Sequence, residues 1–192
     1  HGDLRSALLA SALEILQRDG LEALTLRAVA RAAGVSEAAP YRHFADRRQL
    51  VAGVAAEGFR AMQQAMIGEM QRVSTGTPRS GLRMVAVAYV KFGLDNPALY
   101  RVMFGPEVAV ADDLPELRET GRGVLGFVAE GIRRLQGAGL VGPGDPWLMA
   151  VTTWSMLHGL VMLALDGQTR GIAPSTDALV EEATRIMMFG MA

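Results

Sequence analysis

One stretch decides the fold: residues 25–44 read TLRAVARAAGVSEAAPYRHF. Thr25 is a favourable N-cap for a short helix, and Gly34 suits the positive-φ position at which such a helix ends. A second short helix is predicted from Ser36 to about Phe44. Two short helices joined by a tight turn form a helix-turn-helix, whose second helix can enter the major groove of DNA.

Helical periodicity continues through the rest of the chain, and no stretch keeps the two-residue alternation of a strand. Asp46, followed three residues later by Gln49, forms a capping box that predicts a long helix from Arg47. We predict helices at 4–19, 26–33, 36–44, 47–72, 82–95, 97–104, 117–139, 147–165 and from 175 onward, with breaks at 73–80 and 105–116. The predicted fold class is all-α, with a three-helix helix-turn-helix domain over 1–50 and a helical bundle over 51–192.

The composition excludes several classes of function. The 192 residues carry 19 basic and 20 acidic side chains, so bulk charge alone cannot bind nucleic acid and any basic face must be local. The chain has no cysteine, and its three histidines lie far apart in sequence. No hydrolase, P-loop or zincin motif is present, and the G-x-G-x-x-G match at 121–126 follows no strand. We therefore expect no catalytic residue, no metal and no cofactor.

The segment Trp147–Leu165 contains no charged residue and is flanked by Asp145 and Asp166. Its length approaches that of a membrane-spanning helix, but it carries several polar side chains and no basic anchor. A helix buried on most of its circumference is the better interpretation. Residues 1–20 do not resemble a signal peptide, so we expect a cytoplasmic protein without a membrane partner.

Several short motifs in the first 50 residues closely resemble the DNA-binding domain of the TetR family of bacterial transcriptional regulators. They are LEALT at 21–25, AVARAAGVS at 28–36, YRHF at 41–44, Asp46-Arg47 and Leu50. The resemblance covers about residues 5–55. It implies that the remainder is an all-helical domain for ligand binding and dimerisation, in which the last two helices form a four-helix interface between two copies.

The same resemblance implies which residues contact DNA. Phosphate contacts are implied for Thr25, Arg27, Tyr41, His43 and Arg47, the last of which replaces the family's usual lysine. Base contacts are implied for Ser36, Glu37, Ala38, Ala39, Pro40 and Arg42. Phe44 and Leu50 would be core. Pro40 stands where many members have leucine, and because proline lacks an N–H we expect a recognition helix that starts late or has a loosened first turn.

A second resemblance lies in the C-terminal part. The segments FGLDNPALYRVMFGP (92–106) and WSMLHGL (154–160) are similar to a subgroup of the family with a Trp…His-Gly signature. Trp154 and His158 share one helix face, so the pair either lines a pocket or packs together in the core. An adaptable apolar pocket is predicted from methionine and aromatic side chains, namely Phe59, Met62, Met66, Phe92, Tyr100, Met103, Phe104, Phe127, Trp154, His158 and Met162.

These observations predict a homodimeric regulator that binds a palindromic DNA operator as a repressor and is released by a small apolar or aromatic effector. Two alternatives remain open at this point. One is a ligand-independent DNA-binding or architectural protein, and the other is a small all-helical enzyme.

Overall fold

A computed structural model describes residues 2–72, 78–109, 113–172 and 175–190. Over these ranges the chain forms helices and turns and no strand, which confirms the all-α prediction. The helices are α1 (Gly2–Asp19), α2 (Leu26–Ala32), α3 (Arg47–Arg72), α4 (Pro78–Asp95), α5 (Pro97–Met103), α6 (Pro106–Ala109), α7 (Pro115–Gly137), α8 (Pro146–Leu165) and α9 (Thr176–Gly190). Residues 73–77 of the break predicted at 73–80 lie outside the described residues, and the prediction is wrong for residues 78–80, which form the start of α4.

Contacts within the chain group it into two compact units. The first consists of His1–Arg60 with Asn96–Gly121, and the second of Ala61–Asp95 with Arg122–Ala192. Helices α3 and α7 contribute residues to both units. Compactness does not show which residues bind DNA or ligand, so the functional division after residue 50 stays a prediction.

The ends of the first helices follow the capping residues. The Thr25 hydroxyl accepts the Ala28 amide at 3.1 Å, as expected of an N-cap. The Asp46 carboxylate accepts the Gln49 amide at 2.8 Å and begins α3. Gly34 adopts φ +67° after α2, where a side chain would be strained.

The segment predicted as a helix from Ser36 to Phe44 is not an α-helix. It contains one 3-10 turn, Pro40–Arg42, between irregular turns. Pro40 has no N–H to donate to the Ser36 carbonyl four residues earlier. That carbonyl accepts the Ala39 amide instead, at 2.9 Å. The departure from helical geometry therefore goes further than a loosened first turn.

The predicted break at 105–116 is also partly wrong. It contains the short helix α6 and the start of α7, and both begin at a proline, Pro106 and Pro115. Proline suits the first turn of a helix because the N–H groups there have no partner within the helix. The sequence already contained this signal.

The first unit has a tightly packed core beneath the helix-turn-helix. Phe44 and Leu50 are buried, which confirms their prediction as core residues. A Cβ atom on Gly53 would lie 3.1 Å from Cε1 of Phe44 and 3.0 Å from Cδ2 of Leu9, so α3 approaches both side chains closely. The Arg5 guanidinium lies 5.5 Å from the centre of the Phe44 ring, within range of a cation–π contact.

The second unit contains α4, α8 and α9 packed against one another. Helix α8 was expected to be buried on most of its circumference, and this expectation is wrong for the single chain. Its buried residues form one stripe, Ala150, Thr153, Leu157 and Val161. Its exposed large apolar residues are Trp147, Leu148, Val151, Trp154, Met156 and Leu163. An apolar face this large on one helix is typical of an interaction surface.

Among the described residues, α8 is the one helix long and apolar enough to cross a membrane by length and composition. This criterion alone is weak evidence, because core and interface helices also satisfy it. The Asp145 carboxylate caps the helix by accepting the Trp147 amide at 2.8 Å, and Asp166 follows its last residue. No basic residue lies in the last turn to anchor that end at a membrane surface.

Two glycines of α3 are predicted to respond oppositely to substitution by alanine. A Cβ on Gly58 would lie 2.6 Å from Sδ and 2.8 Å from Cγ of the buried Met103, whereas nothing lies within 4 Å of one on Gly68. Gly68→Ala should raise the free energy of unfolding by about 1 kcal/mol through helix propensity. Gly58→Ala should lower it, because an overpacking cost of about 1–3 kcal/mol offsets the same propensity gain and, with two contacts under 3.0 Å, should exceed it. Urea unfolding of the two variants tests this, and equal stabilisation would contradict the packing described.

Candidate nucleic-acid interface

The candidate interface is the surface formed by α2 and residues 33–47. Most of its predicted DNA contacts are exposed, as DNA binding requires: Thr25, Arg27, Ser36, Glu37, Ala38, Tyr41 and Arg42. Tyr41 is 53% exposed, so its hydroxyl is accessible to a DNA backbone. Ala39 and His43 are half-buried.

Pro40 is the predicted base contact that the structure contradicts. Its side chain is buried, and the 3-10 turn that it begins packs against α2. A buried ring cannot lie on base edges. Pro40 is therefore a core residue.

The exposed arginines of this surface provide the local positive charge that the overall composition lacks. Arg27 and Arg31 are four residues apart on α2, so they share one helix face, and both are exposed together with Arg42. Sequence reasoning did not select Arg31. Its spacing from Arg27 was the signal that could have identified it.

Arg27 pairs with Glu37 across the turn between α2 and the 3-10 turn, with 3.5 Å between Nε and Oε2. Both side chains are about two-thirds exposed or more, at 73% and 68%. Water screens a pair this exposed, so it stabilises the fold little. The Arg27 guanidinium can therefore exchange this carboxylate for a DNA phosphate at low cost.

Arg47 was expected to contact phosphate, and its guanidinium has several protein partners. Nε donates to the carbonyl of Leu24 at 2.9 Å and Nη2 to that of Leu21 at 2.8 Å. Nη1 donates to both carboxylate oxygens of Glu107 at 3.0 Å. Sequence reasoning did not find these contacts, because the partners are 23 to 60 residues away in the chain.

His43 is half-buried and borders a cleft as well as the solvent. It lines a cleft of about 260 Å³ in the first unit, together with residues such as Arg5, Gln49 and Glu116. Arg5 and Glu116 are paired at 2.5 Å. None of the residues predicted to line an effector pocket lines this cleft.

The residues predicted to line an effector pocket are divided between the two units. Those in the first unit are Phe59, Tyr100, Met103 and Phe104. There the Phe104 ring centre lies 5.3 Å from that of Phe59 and 4.8 Å from that of Tyr100, so these aromatic residues form one cluster. Those in the second unit are Met62, Met66, Phe92, Phe127, Trp154, His158 and Met162. Their role as pocket residues stays a prediction.

Trp154 and His158 lie side by side on α8, with 5.8 Å between ring centres. The indole Nε1–H donates to the hydroxyl of Tyr89 on α4 at 3.0 Å, although the Trp154 side chain remains exposed. Burial lowers the pKa of His158, because a charged imidazolium would lose hydration there. The Trp154 indole thus links α8 to α4, and it remains accessible at the surface of the single chain.

The comparisons with known proteins agree with this architecture. The family profile "Bacterial regulatory proteins, tetR family" matches residues 8–54, and "Tetracyclin repressor-like, C-terminal domain" matches residues 82–187. The second match includes both segments of the C-terminal resemblance. The chain belongs to the TetR family of bacterial regulatory proteins.

Individual proteins are similar to this chain over nearly its whole length. An uncharacterised HTH-type transcriptional regulator of Mycobacterium tuberculosis is 28% identical over 97% of this chain and 81% of its own. A Rhodococcus protein of unknown function is 34% identical, covers 100% of this chain and 97% of its own, and has a TM-score of 0.87. The fold also matches that of AibR, solved with isovaleryl coenzyme A and operator DNA, at 16% identity over 94% and 96% of the two chains, with a TM-score of 0.64.

The family membership and the exposed helix-turn-helix define the class of protein. The chain is a DNA-binding transcriptional regulator and not an enzyme. The match to the family's C-terminal domain, residues 82–187, covers most of the second unit and also residues 96–121 of the first.

Pro40→Leu is predicted to restore helical hydrogen bonding in the recognition segment. A leucine amide can donate to the Ser36 carbonyl, and the buried site already accepts an apolar side chain. We expect slower hydrogen exchange of the amides at residues 39–43. Pro97→Leu is the matched control, because Pro97 occupies the first turn of α5, where an N–H has no helical partner. Unchanged exchange in Pro40→Leu would show that something other than the missing N–H distorts the segment.

Proposed function

We propose that the protein is a homodimeric repressor that binds a palindromic operator and is released from it by a small apolar or aromatic effector. The observation that carries the dimer, and with it the palindrome, is the exposed apolar face of α8. Two copies related by a two-fold axis would present two recognition segments to successive major grooves. Binding to the bacterial chromosome would place the protein in the cytoplasm.

The proposed DNA contacts follow from exposure and chemistry. Arg27 and Thr25 lie exposed at the start of α2, where a guanidinium and a hydroxyl can donate to a phosphate. The small side chain of Ala38 allows the backbone to approach base edges, and the Arg42 guanidinium can donate two hydrogen bonds to guanine. Further contacts are proposed for Ser36, Glu37, Ala39, Tyr41 and His43.

The proposed dimer interface consists of α8 and α9. The large apolar side chains exposed on α8 would be desolvated by a second copy, together with Ile186 of α9, which is 48% exposed. Gly159 lies on the uncharged helix α8, and nothing is within 4 Å of a Cβ built on it. The open space at this glycine would allow a second helix to approach closely.

The proposed effector chemistry follows from the residues available to line a pocket. In the first unit, aromatic rings cluster around Phe104. In the second, Met62 and Met66 are buried and Phe127 and Met162 are half-buried. Apolar and aromatic side chains favour an uncharged or weakly polar ligand. Such a ligand would release the operator only if it binds the DNA-incompetent state more tightly than the DNA-bound state.

The first test is selection of bound fragments from a sheared genomic library. Enrichment of a short palindrome would support a site-specific dimer, and displacement of that fragment by small aromatic or acyl compounds would support effector control. Uniform recovery of fragments would contradict site-specific binding. A selected site from which no compound displaces the protein would favour the ligand-independent alternative.

Arg27→Ala and Arg42→Ala should weaken DNA binding in different ways. Loss of a phosphate contact at Arg27 should weaken binding to all sequences and reduce the slope of log K against log salt by about 0.9 per subunit. Loss of a base contact at Arg42 should reduce discrimination between the selected site and its point variants by about 1–3 kcal/mol. Fluorescence anisotropy at several salt concentrations measures both effects. Arg133→Ala, which removes an exposed arginine of α7, is the control and should change neither.

Gly159→Phe should block dimer formation without destabilising the subunit. A side chain at Gly159 meets nothing within 4 Å in the single chain, so its cost would arise only against a second copy. Gly131→Phe is the matched control, because Gly131 is also half-buried in a helix with nothing near its Cβ. Analytical ultracentrifugation at low micromolar concentration compares the two. A dimeric Gly159→Phe variant would argue against this interface.

A further inference from the structure

The Arg47 guanidinium forms hydrogen bonds through all three of its nitrogens. Its Nε and Nη2 atoms donate to the carbonyls of Leu24 and Leu21, at 2.9 and 2.8 Å, and Nη1 donates to the Glu107 carboxylate at 3.0 Å. The side chain is 35% exposed. A phosphate would have to compete with partners that are already well placed.

The two carbonyls belong to the turn that leads into α2. The 3-10 turn Leu21–Ala23 closes with the Leu24 amide donating to the Leu21 carbonyl at 3.1 Å. The next residue, Thr25, is the N-cap of α2. Arg47 is the first residue of α3, so its side chain fixes the start of α2 relative to the start of α3.

Glu107, which lies outside the helix-turn-helix, accepts hydrogen bonds from the third guanidinium nitrogen of Arg47, Nη1. It lies on the short helix α6, and both of its oxygens are 3.0 Å from Nη1 of Arg47. Its side chain is 32% exposed, so the pair is less screened by water than the Arg27–Glu37 pair. The Glu107 carbonyl also accepts a long hydrogen bond from Arg48 at 3.4 Å.

We propose that Arg47 is a positioning residue for DNA binding and that Glu107 holds it in place. The pair sets the position of Thr25 and Arg27 at the start of α2, and Arg47 does not itself bind a phosphate. This inference rests on the proposed function, because it assigns a role within the same DNA interface. It replaces the phosphate contact expected for Arg47 from the sequence.

The chemistry of lysine separates the two roles. A lysine ammonium is a single point charge, which can bind a phosphate but cannot reproduce the planar fork that reaches two carbonyls and a carboxylate at once. Arg47→Lys therefore breaks the positioning network but would preserve a phosphate contact if Arg47 made one. Arg47→Ala would abolish either role.

The experiment measures binding of Arg47→Lys, Arg47→Ala and Glu107→Gln to the selected operator across a range of salt concentrations. We expect both Arg47 variants to bind at least about tenfold more weakly than the wild type, with the salt slope unchanged, because no phosphate contact is lost. Glu107→Gln should bind several-fold more weakly, again at constant slope. Glu182→Gln is the control, because it removes an exposed carboxylate that is paired with an arginine on α9.

Hydrogen exchange of the free protein gives a second readout that does not depend on DNA. Amides at residues 24–28 should exchange at least about tenfold faster in Arg47→Lys, while those of α9, which belongs to the second unit, stay unchanged. Arg47→Ala tests the same effect more severely, and Arg47→Lys keeps the experiment informative if the alanine variant fails to fold.

The outcomes separate the inference from the proposed function. A wild type that selects no site overturns the proposed function. A wild type that selects a site, with Arg47→Lys equally tight and Arg47→Ala reduced in salt slope by about 0.9 per subunit, overturns only the positioning role. Tighter binding by Glu107→Gln with a steeper slope would also overturn it, because Glu107 would then be a competitor of DNA for Arg47.

Discussion

The candidate interface, formed by α2 and residues 33–47, must keep its polar side chains exposed and in fixed positions. Few buried residues within this segment are available to hold them there. Within residues 24–44, the buried side chains of Leu24, Pro40 and Phe44 anchor the backbone to the core. Around these anchors the backbone is fixed by local devices, the Thr25 cap and the left-handed Gly34. Tyr41 and Arg42 gain little stability for the fold while they are exposed. Burial of the neighbouring apolar residues supplies the free energy that offsets the conformational entropy of ordering this segment.

In the second unit the exposed residues are apolar instead of polar. Helix α8 is apolar on nearly all sides, but α4 and α9 cover only one stripe of it. The remaining large side chains leave an unfavourable apolar surface on the single chain. Association of two copies would remove this surface from water, so subunit stability and assembly would be coupled.

Local signals in the sequence predicted much of the fold. The caps at Thr25 and Asp46, the glycine at 34 and the length of α3 depend on neighbours within a few residues, and the structure has them as predicted. The missing N–H of Pro40 was also readable, but its effect on the whole recognition segment was underestimated.

The predictions that failed concern contacts between residues far apart in the sequence. The partners of Arg47 come from Leu21, Leu24 and Glu107, and nothing local in the sequence indicates that these groups meet. Burial of α8 within the single chain was overestimated. High hydropathy predicts that a helix face is covered, but it does not indicate whether the same chain or a second molecule covers it. Family resemblance supplied the proposed DNA contacts, and the structure shows that Pro40 is buried and that the Arg47 guanidinium is bonded within the protein.

The position of the two tryptophans gives the protein an intrinsic optical reporter. Trp147 and Trp154 are the chain's only tryptophans, and both lie on α8 with more than a third of their surface exposed, at 38% and 37%. Indole emission shifts to shorter wavelength when water is excluded from the ring. The ultraviolet fluorescence of the unlabelled chain should therefore report directly on whether this helix face is covered, and at what dilution it becomes uncovered.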